Sequence, residues 1–323
     1  MLGLRIIIAL LALAILQSAP AYSQSIRMSY TGTPGFMTPF WLTQDAGLVK
    51  KQGLRGEQIM VTGGATNIQA LIAGEVDFVN AAGPPLINAV LNGADITIIA
   101  SAYNFLPYGF VVTKDIRSPS DLKGKRITLS NFGGLEEFAI RRALDKFGVD
   151  PNAVTFLRSG ADAVRIAALM SGAASAMVVS PPSLFKAEAL GLKILMDFGE
   201  LNFSFPGSII IARRAYIAEQ RNTVKKFLMA YIEGLLVFKT NKKLAVQVMQ
   251  KHMKLNDTDI LSKSHDYYVK NTPVVPFTEP MAVKNAAPAD KAGTIKAEDF
   301  YDNSLLREIV SSGYVEKLEK PAK

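Results

Sequence analysis

The chain contains no cysteine among its 323 residues. That excludes disulfides, a thiolate nucleophile and any cysteine metal site. It also leaves no cysteine to carry a lipid behind a leader. Histidine is nearly as scarce: His252 and His265 are the only two. Both lie in the last third of the chain, far from its glycine-rich loops, and read as ordinary surface or interhelical residues. No Ser/His/Asp spacing, no carboxylate pair with a positioned base and no metal-ligand cluster stands out. Tryptophan occurs once, as Trp41, beside Phe40 on a helical segment where core packing is the natural reading. After the N-terminus no apolar run approaches the roughly 18 residues a membrane helix needs.

Arg5 precedes an unbroken apolar run of 11 residues, Ile6–Leu16, and small residues follow as Ala19-Pro20-Ala21 and Ala21-Tyr22-Ser23. This is the pattern of a secretory signal peptide over residues 1–23, too short to span a bilayer, with cleavage after Ala21 or Ser23. An exported chain without cysteine fits a bacterial periplasm. Lys and Arg outnumber Asp and Glu by 36 to 28, a formal net charge of +8. The cations are spread out, often beside acids, and no nucleic-acid motif accompanies them. The excess implies a basic surface that aids solubility and steers anions, with no nucleic-acid partner.

About 300 mature residues exceed the usual single core, so two lobes are expected. The first stretch alternates strand and helix: strand Ile26–Tyr30, a helix over Pro39–Ala46, strand Gln58–Val61, and a helix opening near Ala65 or Thr66. The apolar face of that helix uses Ile68, Leu71 and Ile72. Strand Val76–Val79, a helix through Leu91 and strand Ile96–Ala100 follow. This spacing predicts an α/β lobe with a largely parallel sheet. An echo comes about a hundred residues later. Ala70–Val79 followed by Pro84-Pro85 resembles Ala168–Met177 followed by Pro181-Pro182. Two similar lobes explain it better than chance likeness of two βα units. Ser208–Ala212 suits a strand crossing between lobes. Helices are then expected over Arg221–Lys239, Leu244–His252, Asp257–Tyr268, Thr278–Ala286 and Ser304–Lys317.

The stretch Ser118–Asp150 has the richest local pattern. Arg126–Leu129 reads as a buried strand, Ser130–Leu135 as a tight glycine loop, and Ile140, Ala143, Leu144 and Phe147 as one helix face. Gly148 stops the helix, with Pro151 shortly beyond. Two uses are open for Gly133-Gly134. They simply turn the chain, or they let a ligand approach the unpaired N–H groups of the helix start. Glu136 and Glu137 sit in the first turn. If either faces a cleft it repels a bare oxyanion; if both face solvent they matter little. Arg158 is the nearest countercharge from another loop.

Taken in order, Phe40-Trp41-Leu-Thr-Gln-Asp-Ala-Gly-Leu-Val-Lys-Lys-Gln-Gly-Leu, Gln69-Ala-Leu-Ile-Ala-Gly-Glu-Val-Asp-Phe, Ser118-Pro-Ser-Asp-Leu-Lys-Gly-Lys-Arg-Ile and Asp299-Phe-Tyr-Asp-Asn-Ser resemble a known family. It is that of the periplasmic substrate-binding proteins of nitrate/sulfonate/taurine ABC importers, with the binders of thiamine-pyrimidine precursors. The resemblance implies an α/β, two-lobe periplasmic-binding-protein fold of type II-like form. Each lobe would be a mostly parallel sheet flanked by helices, with the C-terminal helices packed on lobe one. Lobe one would hold residues 24–108 and 214–323, and lobe two residues 109–213. A small organic ligand, anionic or aromatic, would sit between them and be delivered to an inner-membrane permease served by a cytoplasmic ATPase. A monomer without cofactor is implied.

Mapped onto this chain, the ligand loops carry Thr33, Phe36, Gly64, Ala65, Thr66, Asn80, Ala81 and Ala82 from lobe one. From lobe two come Asn131, Phe132, Gly133, Gly134, Leu135, Asp162 and Ser180. Phe205 would reach in from the return crossing, and Tyr103 is a further candidate ring. Small side chains expose backbone donors, and hydroxyls and amides direct hydrogen bonds. Fungal pyrimidine synthases of the same superfamily use a histidine and a cysteine cluster, which this chain cannot supply. A receptor module signalling to another membrane protein remains a third reading.

Overall fold

The computed structural model describes residues 24–320 apart from Asn202 and Ala289, so the expected signal peptide lies outside the described residues. The chain first lays down β1 (Gln24–Tyr30), β2 (Leu54–Met60), β3 (Phe78–Ala81) and β4 (Ile96–Phe105). It crosses into a second sheet of β5 (Gly109–Val112), β6 (Arg126–Leu129), β7 (Thr155–Arg158), β8 (Ala176–Val179) and β9 (Lys193–Asp197). It then returns as β10 (Ser204–Arg213).

The two sheets share one plan. Their orders are β2-β1-β3-β10-β4 and β7-β6-β8-β5-β9. In each, the fourth place is taken by the strand that has just crossed over. That strand runs antiparallel to both neighbours. The remaining pairs are parallel. The sheets are therefore mixed rather than mostly parallel, because each lobe lends the other one strand. The exchange also moves a boundary. Residues 204–213, assigned to lobe two from sequence, are hydrogen-bonded into the first sheet. The sequence echo has a structural meaning, since β3 and β8 hold the same middle place.

The helices are α1 (Thr38–Asp45), α2 (Leu48–Lys51), α3 (Gly64–Ile72), α4 (Gly83–Leu91), α5 (Leu135–Phe147), α6 (Asp162–Met170) and α7 (Ser183–Ala189). After β10 come α8 (Arg214–Glu219), α9 (Arg221–Thr240), α10 (Lys242–Met253), α11 (Thr258–Val269), α12 (Pro280–Ala286), α13 (Ser304–Ser311) and α14 (Tyr314–Glu319). No helix among the described residues is long and apolar enough to cross a membrane.

The helical period of Val224, Phe227, Leu228, Tyr231, Leu235 and Phe238 puts one face of α9 in the core, and all six are buried. Phe227 stacks on Phe78 of β3 at 4.1 Å. Each such side chain contributes about 1.5–3 kcal/mol by leaving water. The C-terminal helices pack on the first sheet's unit, α9 on α1 and α2, α12 on β10 and α13 on β4. Helix α11 also touches α7 of the second unit.

Several boundaries differ from the sequence reading. Strand β2 starts at Leu54, β3 is shifted to Phe78–Ala81, and β4 runs on to Phe105. The segment expected as one helix over Ser304–Lys317 breaks at Ser312-Gly313. On α3, Ile72 is exposed while Asn67 is buried, its Oδ1 accepting from Ser29 Oγ at 2.6 Å. A hydrogen-bonded asparagine can replace an apolar residue in a core face, and hydropathy does not register the exchange.

Candidate functional site

The loop after β6 is the first part of the site. Gly133 has φ 73°, a left-handed conformation in which a side chain would be strained. Gly134 is extended and caps α5. The two glutamates that follow fold back onto this loop. Glu136 Oε2 accepts from the Ser130 N–H at 2.7 Å. Glu137 Oε2 accepts from the Gly133 N–H at 2.7 Å, and its Oε1 accepts from Arg141 Nε at 2.9 Å and Nη2 at 2.7 Å. Carboxylates are favoured at this end of a helix, where N–H groups are unpaired and the dipole is positive. The chain's own acids thus take two of the N–H groups of this loop.

Glu136 turns inward. Its Oε1 meets Arg165 Nη2 at 3.0 Å. Arg165, at 1% exposed, also donates from Nη1 to the Val178 carbonyl at 2.8 Å and from Nη2 to Asp162 Oδ1. Its Nε is buried without a partner. Burial pushes the Glu136 carboxyl above the usual glutamate value, against the opposing pull of Arg165. Tyr108, at the crossing into β5, is held neutral by burial and by the Glu136 and Asp162 charges nearby.

The loop after β1 meets this edge from the other sheet. Phe36 lies edge-on to Tyr108, centroids 6.3 Å apart, and to Tyr268 of α11, 6.4 Å apart. At Gly35 a Cβ would stand 2.7 Å from the Tyr268 ring and 2.9 Å from the Pro181 carbonyl oxygen, so only glycine allows the approach. Tyr268 Oη donates to that same carbonyl at 2.7 Å. The loops after β1 and β8 and helix α11 therefore converge at one junction. Strand ends of α/β sheets are where small-molecule sites favour forming.

The residues named from sequence separate into groups. Thr33, Ala65 and Thr66 are exposed, and Gly64, Ala82, Asn131, Gly133, Gly134, Leu135 and Asp162 are at least partly open. Phe132 stands 57% exposed at its loop tip. Phe36 and Ser180 are buried at the junction. Asn80, Ala81 and Phe205 are wholly buried within strands β3 and β10. Asn80 is wholly buried in β3, its Oδ1 accepting from Ser208 Oγ at 3.1 Å. Ala81 is buried beside it. Phe205 is enclosed by Phe138 at 4.7 Å and Phe203 at 6.1 Å. Tyr103 is likewise buried, against Phe105 and Tyr268. Sequence reasoning missed Tyr108, Tyr268 and the inward Arg165. Of these only Arg165 had a signal, its i,i+3 spacing from Asp162.

Neither histidine is at the junction. His252 stacks on Trp41 at 4.6 Å and its Nε2 meets Asp45 Oδ2 at 3.0 Å. His265 Nε2 is 2.8 Å from the Phe238 carbonyl.

A family model described as NMT1/THI5 like matches residues 36–242, more than half of the chain. The chain belongs to the NMT1/THI5-like family. A protein of Brachyspira hyodysenteriae named for an ABC transporter periplasmic binding role is 26% identical over 187 residues, 58% of this chain and 52% of its own. The match thus spans about half the length of that relative. A solved Bordetella bronchiseptica RB50 structure superposes with TM-score 0.79 at 19% identity, covering 90% of this chain and 98% of that one. The periplasmic aliphatic sulphonate binding protein SsuA of Escherichia coli gives 0.65, also at 19% identity, covering 91% and 88%. This NMT1/THI5-like chain thus has the fold of periplasmic binding proteins over both sheets.

Proposed function

We propose that this NMT1/THI5-like protein is the periplasmic solute-binding component of an ABC importer. It captures a small organic molecule between the strand-end loops of its two sheets. It then presents that molecule to an inner-membrane permease driven by a cytoplasmic ATPase, and it works as a monomer with no bond made or broken. The observation that carries this reading is the junction itself. Gly35 of one unit lies against Pro181 of the other, and Phe36 lies against Tyr108 at the crossing between them. A ligand there touches both units at once and so biases their relative position. The engagement of His252 and His265 elsewhere favours capture over catalysis. Exported location follows from the leader pattern of residues 1–23.

Affinity in the micromolar range, about −8 kcal/mol, is expected of such a carrier. The test is a thermal-shift screen on the mature chain, repeated with Asn131→Ala/Gly134→Val. A Cβ on Gly134 would meet only the Asn131 carbonyl oxygen, at 3.8 Å, so the variant should fold. Ligand-induced stabilisation is expected to vanish while the melting temperature of the free protein holds. Stabilisation that survives unchanged would place the ligand elsewhere.

A further inference from the structure

None of the six loops at the strand ends, residues 31–36, 62–67, 80–83, 130–135, 159–162 and 180–182, contains a lysine or an arginine. Asp162 is the one ionisable side chain among them, in a chain whose formal net charge is +8. Two N–H groups and the buried guanidinium of the second-sheet edge are engaged by the chain itself. Glu136 and Glu137 hold the Ser130 and Gly133 N–H groups. Arg165 spends its terminal nitrogens on Glu136, Asp162 and the Val178 carbonyl. Two carboxylates against one guanidinium leave one negative charge in excess. The Asp162 side chain is 43% exposed, and only its Oδ1 is engaged by Arg165. On the neighbouring loop the Phe132 ring stands free to cover an apolar body.

We propose that the junction selects an organic ligand without net negative charge, whose N–H or ammonium group donates to Asp162 and whose apolar body lies on Phe132. This rests on the binding-protein reading above and assigns Asp162 as the residue that sets charge preference. An anion entering here meets the exposed Asp162 carboxylate, and the cation next to that loop is Arg158, exposed at the end of β7. A cation or amide meets an acceptor already fixed in place by Arg165. Hydrogen bonds to charged groups are strong enough that losing one costs tenfold or more in affinity.

The experiment uses matched probes on the mature chain at constant ionic strength: benzylamine, benzamide and benzenesulfonate, with butylamine, butyramide and butanesulfonate as the aliphatic set. Melting temperature is followed against probe concentration. The amines and amides are expected to give saturable stabilisation and the sulfonates none. Asp162→Asn should weaken the amines at least tenfold and the amides less. Glu136→Gln with Asp162→Asn, which leaves Arg165 in excess, should admit the sulfonates. Sulfonate stabilisation of the unaltered protein overturns the charge assignment. If Asn131→Ala/Gly134→Val abolishes it, the binding reading stands; if Arg158→Ala abolishes it instead, the countercharge is Arg158, exposed at the end of β7. Stabilisation by amines that survives both Asp162→Asn and the double loop variant overturns the cleft and the charge assignment together. Silence of every probe contradicts the proposal as well.

Discussion

Arg165 is the side chain whose loss should be felt most. It is buried with Glu136, and removing one partner of a buried pair leaves the other charged and dry, at about 3–5 kcal/mol. Arg165→Met should therefore lower stability by an amount of that order in chemical denaturation. Adding Glu136→Gln should recover most of it, because the carboxylate then left without Arg165 is Asp162, whose side chain is 43% exposed and stays in water. A double variant as unstable as the single would show that the pair has another role. At this scale the sequence was partly legible. Asn131 and Asn80 look alike as amides next to small residues, yet one lies in an open loop and the other in a strand facing the core. Residue type gives the chemistry, and facing depends on the strand's register. The turn residues Gly133-Gly134 need no register, and the pair alone marks the loop that precedes the helix.

Helix α11 is the element that couples the two units. Tyr268 reaches the Pro181 carbonyl, Lys263 Nζ meets Glu188 Oε2 at 2.9 Å, and Tyr267 Oη donates to Asp197 Oδ1 at 2.8 Å. Asp197 ends β9, where the chain turns back toward the first sheet, and its Oδ1 also accepts from the Gly199 N–H. Burial raises the Asp197 carboxyl above the ordinary aspartate value, outweighing the opposing bonds from Tyr267 and Gly199. A raised carboxyl contributes stability that is complete below its unfolded value of about 4 and is lost as pH climbs through the folded value. The native protein should therefore gain stability relative to Asp197→Asn as pH falls from neutral toward 4. Denaturant midpoints across that range check it; a flat or reversed difference contradicts it. Hydrophobic period located α11 within a residue of its true start. It said nothing of these contacts, which join residues 70 or more apart along the chain.

As a whole the molecule is two sheets of one plan that exchange a strand. The repeat was visible in the Pro-Pro echo, and the return strand was visible as a β-branched run. Which sheet that run joins was not, since composition makes a strand without choosing its neighbours. The exchange matters for function, because two crossings in place of one confine relative movement to a hinge and keep the strand-end loops opposed. A ligand held at those opposed loops should slow amide exchange on both units at once, which is measured with and without a stabilising amine or amide. Protection is predicted at Thr33, Gly35 and Phe36, at residues 131–135 and 159–162, and at Ser180 together, the prolines of these loops having no N–H to exchange. Protection confined to one unit, or centred away from these loops, would contradict it.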